Sequence, residues 1–329
     1  MSSLRLHRVL FPAVVAACAV SPALAAADQG WFLALDLAFA QPALEQEYAV
    51  QIDGSVSPVE TTRHVMDGDS DAAYRFGFGY GFGPERGDLR VTYWSFDGND
   101  SEERRMDGFV EPLVFGEGYY GAYYYLYDAA GVATEATTEV TAVTVDLDYA
   151  RAVTHGRRFR LSWLAGLRYA GFEETRAFHG DDTILRIEQE KVIDSDAIGV
   201  RAGAEAEYGF GRVFTITGKA SFSLLQSTSD ATSGQEIYDS AGGALLAAET
   251  ATSSSDSRNG SIIDASLAGV WRLGRADVVL GIEVSQWNGL VEDPIPAEEA
   301  GSRDTISFTS AYVGLRYWFK DRAPGSAVP

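Results

Sequence analysis

The sequence is poor in cysteine and histidine, which narrows the chemistry open to it. Its 329 residues include one cysteine and four histidines. The cysteine, Cys18, lies near the amino terminus in a segment that we expect to be removed. A processed chain would then have no disulfide framework, no thiolate nucleophile and no cysteine-based metal site.

Basic residues are also scarce relative to acidic ones. Lysine and arginine together number 26, against 47 aspartates and glutamates, which gives a formal net charge of −21. So acidic a surface would repel polyanions, and this argues against nucleic acid as a partner.

Long apolar runs are absent apart from one near the amino terminus. Arg5 and Arg8 precede an apolar run over residues 9–20, and the small residues 23–25 follow it. This layout is typical of a secretory signal peptide, and the run is too short to span a membrane as a helix.

We predict that residues 1–25 are the signal peptide, with cleavage after Ala25 and Ala27 as the alternative site. Loss of Arg5 and Arg8 would bring the net charge from −21 to −23. A second alternative is a lipoprotein processing site at Val15-Ala16-Ala17-Cys18, with Cys18 acylated.

Recognisable catalytic motifs are missing as well. The sequence has no Gly-x-Ser-x-Gly elbow and no histidine pair at helical metal-binding spacing. Ten-stranded outer-membrane proteases use acidic pairs and a His–Asp pair. The candidates here are His64 with Asp67, Asp69 and Asp71, and His179 with Asp181 and Asp182. Since local proximity is all they show, we expect no enzymatic activity, no cofactor and no metal site.

What the sequence does have is alternation of apolar and polar residues. In the last such stretch Ala311, Val313, Leu315 and Tyr317 share one parity, whereas Ser310, Gly314 and Arg316 are on the other. A strand turns successive side chains to opposite sides, so one face would be apolar and the other polar. Ten segments show this pattern: 31–39, 74–82, 89–93, 143–149, 159–169, 198–208, 214–224, 263–271, 278–284 and 309–319.

The charged residues of these segments all fall on the polar parity. A lysine or arginine that faced lipid at the bilayer midplane would cost about 2–4 kcal/mol, so a membrane would enforce this sorting. The core of a soluble sandwich would enforce it too, and the sorting alone does not decide between them. The sixteen candidate lumen-lining residues are Asp36, Arg75, Arg90, Asp146, Asp148, Arg160, Arg168, Arg201, Glu205, Glu207, Lys219, Asp264, Arg272, Asp277, Glu283 and Arg316.

The connections alternate in length, and this favours the membrane. The short ones are 83–87, 151–157, 209–211 and 274–275, and the long ones are 41–70, 97–138, 171–193, 226–260 and 288–303. Outer-membrane barrels have short periplasmic turns and long extracellular loops, and an even strand number places both termini in the periplasm.

We therefore predict an all-β fold: a transmembrane antiparallel up-and-down β-barrel of about ten strands over residues 26–319, followed by a short periplasmic tail, 320–329. Twelve strands are an alternative, in which a hairpin of the tyrosine-rich segment 119–127 extends the barrel.

The predicted lumen wall is neutral as a whole, with eight basic and eight acidic residues. Opposite charges lie on neighbouring strands, as in the pair Asp36 and Arg75, and pairing makes buried ions tolerable. A barrel of about eight strands is just filled by its side chains, so ten strands leave little bore. A salt-bridged plug and a narrow aqueous pore both remain open. In a pore, the acidic loops would favour cations at the outer mouth.

Three segments carry a family resemblance. Residues 71–96 (DAAYRFGFGYGFGPERGDLRVTYWSF), 145–174 (VDLDYARAVTHGRRFRLSWLAGLRYAGFEE) and 312–319 (YVGLRYWF) resemble hairpins and the closing strand of the Legionella-type major outer membrane protein family. The resemblance implies a pore-forming outer-membrane barrel with a porin-like role. The chain departs from the usual barrel ending, because ten residues follow Phe319.

Together these features predict an exported protein of the outer membrane of a diderm bacterium. We expect a porin-like passage for ions or small hydrophilic solutes by passive diffusion. The alternative is a closed barrel that anchors acidic, tyrosine-rich surface loops for adhesion or ligand binding. The partners expected are outer-membrane lipid and lipopolysaccharide and the barrel assembly machinery.

Overall fold

A computed structural model describes residues 29–43, 45–53, 60–67, 69–83, 86–112, 114, 126–155, 158–211, 213–291 and 305–319. The predicted signal peptide, the tail and residues 119–125 of the tyrosine-rich segment lie outside the described residues. Within the described ranges, no helix is long and apolar enough to cross a membrane.

The described residues form twelve strands. They are β1 (Gln29–Ala43), β2 (Glu45–Asp53), β3 (Glu60–Asp67), β4 (Asp71–Gly83), β5 (Gly87–Pro112), β6 (Leu126–His155), β7 (Phe159–Asp181), β8 (Leu185–Phe210), β9 (Phe214–Asp239), β10 (Leu245–Leu273), β11 (Ala276–Asn288) and β12 (Thr305–Trp318).

Ten of these strands close into a barrel. The order β5-β4-β1-β12-β11-β10-β9-β8-β7-β6 returns to β5 through the β5–β6 pairing. The first and last strands pair antiparallel, with Leu35 opposite Leu315, so no strand of the ring has an open edge. The predicted ten-stranded antiparallel barrel is confirmed.

The other two strands form a hairpin outside the ring. β2 and β3 pair with each other, and β2 also pairs with the end of β5, where Ile52 lies opposite Phe109. Residues 45–67, which sequence analysis assigned to a loop, thus supply the strands beyond ten.

The outward face of the ring is apolar where the sequence predicted contact with lipid. Large side chains that stand half or more exposed there include Leu35, Leu167, Val200, Leu224, Leu267, Leu280 and Val313. Near the short turns this band ends in aromatic pairs, such as Tyr149 with Trp163 and Phe214 with Trp271, whose ring centroids lie 5.6 and 5.0 Å apart. Such a girdle is typical of the membrane–water interface.

Six strands continue well beyond the apolar band. β5 to β10 contain 26, 30, 23, 26, 26 and 29 residues, far more than the roughly 9–11 that cross the hydrocarbon. Most of the segments predicted as long loops are therefore extended hairpins. The β7–β8 hairpin closes tightly, because Oδ1 of Asp182 accepts the backbone N–H groups of Ile184 and Leu185 at 2.6 Å each.

The amphipathic pattern reverses between the band and these extensions. In β7 the outward Leu167 is exposed and the inward Arg168 is buried, whereas further along Phe172 and Phe178 are the inward, buried residues. Outside the bilayer the outward face meets water, so the apolar side chains turn inward. The extensions bury a small core of their own, which includes Met106, Val110, Leu126, Phe178, Ile187 and Ile237.

Candidate functional site: a charged lumen closed by ion pairs and aromatic rings

The barrel encloses a cavity of about 340 Å³. Fifteen of the sixteen charged residues singled out in the sequence line it. The sixteenth, Asp148, also belongs to the interior: it is 2% exposed and contacts Arg201. The strand parity explains this arrangement, since side chains on one parity face lipid and those on the other face the lumen.

The densest part of the site is an ion network between β6, β7, β8 and β10. Nε and Nη2 of Arg168 donate to the two carboxylate oxygens of Asp146 at 2.6 and 2.8 Å, and its Nη1 donates to Oδ2 of Asp264 at 2.7 Å. Arg201 donates to the same Asp146 and, at 3.1 Å, to Asp148. All five residues are buried, with an exposed fraction of 2–8%. Fork-shaped pairs of this kind are the strongest hydrogen-bonded ion pairs.

Hydroxyl groups extend the network to β9 and β11. Ser221 donates to Oδ2 of Asp264 at 2.9 Å, and Ser285 donates to Oδ1 at 2.8 Å. The indole N–H of Trp287 donates to the Ser285 oxygen at 3.0 Å. Both oxygens of Asp264 are thereby occupied, which a buried carboxylate requires.

A second group of ion pairs crosses the other side of the lumen. Nη2 of Arg75, on β4, donates to Oε2 of Glu283, on β11, at 2.6 Å, and Nη1 lies 3.4 Å from Oδ2 of Asp36. The guanidinium also stands over the ring of Tyr312, 5.4 Å from its centroid.

A third group of ion pairs lies nearer the short turns. Arg90, on β5, donates to both oxygens of Glu205, on β8, at 2.6 and 2.9 Å. Nζ of Lys219 stands 3.8 Å from the same carboxylate. Arg272 approaches Glu207 at 3.6 Å.

Register predicts only part of this pairing. Asp36 and Arg75 are opposite each other and in contact, as expected. Arg90 is opposite Asp148, yet its strongest contact is with Glu205, three strands away around the ring. Long side chains thus bridge the bore in addition to pairing along the wall.

An aromatic layer caps the cavity on the side away from the short turns, and sequence analysis missed it. Phe308 packs against Trp94, Phe96 and Trp287 with centroid distances of 5.5, 5.5 and 5.6 Å. The sequence could have indicated this layer, because all four aromatic residues share the parity of the lumen-facing residues of their strands. Trp94, Trp287 and Phe308 line the cavity together with the charged residues.

The histidines considered for catalysis lie in the outer extensions. Nε2 of His64 donates to Oε1 of Gln51 at 3.1 Å, and Nδ1 accepts from Arg104 at 2.7 Å. Burial and the positive charge of Arg104 lower the pKa of His64, so its neutral form is favoured. His179 lies 3.7 Å from Glu188 on the exposed surface.

Two of the acidic residues proposed beside these histidines have structural partners. Asp182 binds the β7–β8 turn, and Asp181 accepts a hydrogen bond from Ser240 at 2.7 Å. Across the parts of the chain that the structure describes, no group of three or more acidic, histidine or cysteine residues is placed to hold a metal ion.

A closed ring of antiparallel strands with an apolar outer band, an aromatic girdle and charges confined to the interior defines an outer-membrane β-barrel protein. A family of such proteins, described as the Legionella pneumophila major outer membrane protein precursor, matches residues 24–265. The chain belongs to this family, as the resembling segments 71–96 and 145–174 indicated, and its location is the outer membrane. The third resembling segment, 312–319, lies beyond the matched residues.

Solved structures of outer-membrane barrels are similar in overall arrangement. The Escherichia coli outer membrane protease OmpT aligns with 90% of this chain and 99% of its own, at 12% identity and a TM-score of 0.44. The translocator domain of the Neisseria meningitidis autotransporter NalP covers 95% of both chains at 10% identity and a TM-score of 0.33. The Pseudomonas putida toluene transporter TodX aligns with 88% of this chain and 89% of its own, at 5% identity and a TM-score of 0.30. No curated protein gives a significant sequence match.

Proposed function

We propose that this outer-membrane barrel is a narrow, porin-like conduit that passes ions or small hydrophilic solutes by passive diffusion, without catalysis. The observation that carries the proposal is the cavity of about 340 Å³, lined by charged side chains from all ten strands of the ring. A barrel that served only as an anchor could fill its interior with apolar side chains, whose burial is more favourable in free energy than the burial of ions.

Two features keep the proposed conductance small. The ion pairs Arg75–Glu283 and Arg168–Asp264 cross the bore, and the aromatic layer around Phe308 stands between the cavity and the outer hairpins. Passage requires these side chains to move aside, so we expect small and intermittent current steps instead of the steady current of a wide porin.

Single-channel recording of the refolded chain in a planar lipid bilayer tests this proposal. Lys219 is the most informative position, because it lines the cavity and is 31% exposed at the side chain, with one ion-pair distance of 3.8 Å. Lys219→Glu should change the reversal potential in a salt gradient toward cations while the barrel still folds. Arg186→Gln, in the outer β7–β8 hairpin, is the matched control and should leave the reversal potential unchanged.

Arg168→Gln and Arg201→Gln extend the test to the central network. If they line a conducting path, the conductance changes; if they belong to a permanent plug, stability alone changes. Correctly folded wild-type protein that gives no current in any salt would refute the conduit.

A closed barrel that anchors surface hairpins is the second candidate, and the extensions of β5 to β10 favour it. These hairpins carry their own buried core around Phe178 and Ile187, so they could present a fixed surface for adhesion or ligand binding. A silent barrel whose hairpins bind a surface ligand would support this candidate.

Export and assembly complete the proposal. We infer cleavage after Ala25, a tail over residues 320–329 in the periplasm, insertion by the barrel assembly machinery and contact with lipopolysaccharide. Mass determination of the protein isolated from outer membranes tests the cleavage site. A mass that corresponds to cleavage after Ala27, or to acylated Cys18, would correct it.

A further inference from the structure

The charges of the lumen are separated along the barrel axis. Eight of the sixteen lie within five residues of the strand end at the short turns, and the other eight lie seven to nine residues from it. The first group, nearer the turns, has five basic and three acidic residues: Arg90, Arg160, Glu205, Glu207, Lys219, Arg272, Asp277 and Arg316. The second, deeper group has three basic and five acidic residues. Asp88 also lines the cavity near the turns, so that end carries five basic and four acidic residues and is slightly basic, whereas the deeper part is acidic.

Part of the basic charge near the turns is already matched. Nε of Arg90 donates to Asp88 at 2.5 Å, and its two Nη atoms bind Glu205, which Lys219 also approaches. Three guanidinium groups then share two carboxylates. These are Arg160, Arg272 and Arg316 on β7, β10 and β12, with Glu207 and Asp277 on β8 and β11.

The five side chains alternate in sign around one side of the bore. Glu207 is opposite Arg160 in register and lies 3.6 Å from Nη2 of Arg272. Asp277 is opposite both Arg272 and Arg316. All five line the same cavity. Each carboxylate therefore stands between two arginines, and the arginines outnumber them.

The three arginines differ from Arg90, Arg168 and Arg201 in the hydrogen bonds of Nε. Nε of Arg168 donates to Asp146, and that of Arg90 donates to Asp88. In Arg160, Arg272 and Arg316, by contrast, Nε is buried and has no hydrogen-bond acceptor among the described residues. A buried donor without an acceptor is unfavourable, which favours a bound group that supplies oxygen atoms.

We propose that the end of the lumen nearest the short turns is a binding site for a small oxyanion, a phosphate or a carboxylate compound, held by Arg160, Arg272 and Arg316. Guanidinium forks match such oxygens in pairs. Because short turns of outer-membrane barrels face the periplasm, the ligand enters from the periplasmic side. The site does not depend on an open lumen, so it stands apart from the proposed conduit.

Isothermal titration calorimetry of the refolded full-length chain in detergent tests the site, with inorganic phosphate and succinate as separate probes at low ionic strength. We expect saturable binding of at least one probe, weakened by added sodium chloride. The probe that binds more tightly distinguishes a phosphate site from a carboxylate site. Arg272→Gln and Arg316→Gln should each raise the dissociation constant by about tenfold or more.

Two further variants keep the test decisive. Arg272→Lys preserves the charge but not the fork, and should bind more weakly than wild type and more tightly than Arg272→Gln. Arg186→Gln loses the same charge outside the lumen and should bind as wild type does; folding of each variant is checked by its mobility on unheated SDS gels. Absence of saturable binding of both probes, or binding that folded Arg272→Gln and Arg316→Gln leave unchanged, would overturn the site. A silent barrel that binds phosphate would refute only the conduit.

Discussion

Arg75 and Glu283 are joined across the interior of the barrel, with 2.6 Å between Nη2 and Oε2. Their strands, β4 and β11, are not neighbours, because β1 and β12 lie between them in the ring. The contact therefore does not follow from cross-strand register. It is a strut that spans the bore.

Glu283→Gln should release this strut. Both side chains are about one-fifth exposed, so solvent screens the pair and its loss should lower the free energy of unfolding by about 1 kcal/mol. The conductance of single channels should rise, because Arg75 no longer spans the bore. Urea unfolding in lipid vesicles and bilayer recording measure the two effects. Glu188→Gln, in an outer hairpin, is the control, and an equal rise in its conductance would contradict the assignment.

Arg168→Met should be far more costly. Arg168 is 4% exposed and holds Asp146 and Asp264 together, so its removal leaves buried carboxylates with one guanidinium fewer. We expect a loss of about 3–5 kcal/mol in the free energy of unfolding. Arg186→Met, at a pair more than one-third exposed, should cost less than about 1 kcal/mol. Similar losses for the two variants would mean that the central network does not stabilise the fold.

The ring itself could be predicted from the sequence because the bilayer imposes a simple rule. In β12, Val313 and Leu315 face outward, while Ser310 and Tyr312 are buried inside. The same parity holds in ten segments, and the short turns between them lie where they were predicted. A charged side chain on the lipid-facing side of a strand is unfavourable. The sequence therefore predicts both the number of strands in the ring and the side of each strand that faces lipid.

The outer hairpins could not be predicted in the same way, because outside the bilayer the polar side chains face outward to water and the apolar side chains face inward. Beyond the band, Phe172 and Phe178 turn inward, and a search for apolar residues on the outward parity ends there. A continued alternation of opposite phase would have shown that the strands extend. The β2–β3 hairpin gives a weaker signal, since it pairs with the ring only through the end of β5.

Within the lumen, parity identifies which side chains point inward but not which of them meet. The contact between Arg90 and Glu205 depends on strand stagger and on how far a guanidinium reaches across the bore. The aromatic layer was readable in principle, since Trp94 and Phe308 stand on the lumen parity.

Phe308→Ala should open the layer above the cavity. The ring is 2% exposed and touches three other aromatic rings, so we expect a loss of about 3–5 kcal/mol in the free energy of unfolding. The conductance should increase at the same time, because the aromatic layer loses the ring that contacts the other three. Phe222→Ala, on the outward face of β9, removes the same ring from the lipid side and should leave the conductance unchanged. Equal currents from both variants would show that the layer does not limit passage.

His64 should make the β2–β3 hairpin sensitive to acid. Its pKa is lowered by burial and by Arg104 from the ordinary 6.5, so the unfolded hairpin binds a proton more readily than the folded one. The contribution of His64 to the stability of the hairpin is therefore fully present above pH 6.5, and it is lost as the pH falls through the lowered pKa. A proton on Nδ1 would also end its acceptance of the Arg104 hydrogen bond. Hydrogen exchange over residues 60–67, corrected for intrinsic rates, should accelerate in this range, while exchange in β12 stays constant. His64→Gln cannot titrate and should remove the pH dependence; its persistence in that variant would assign the effect to another group.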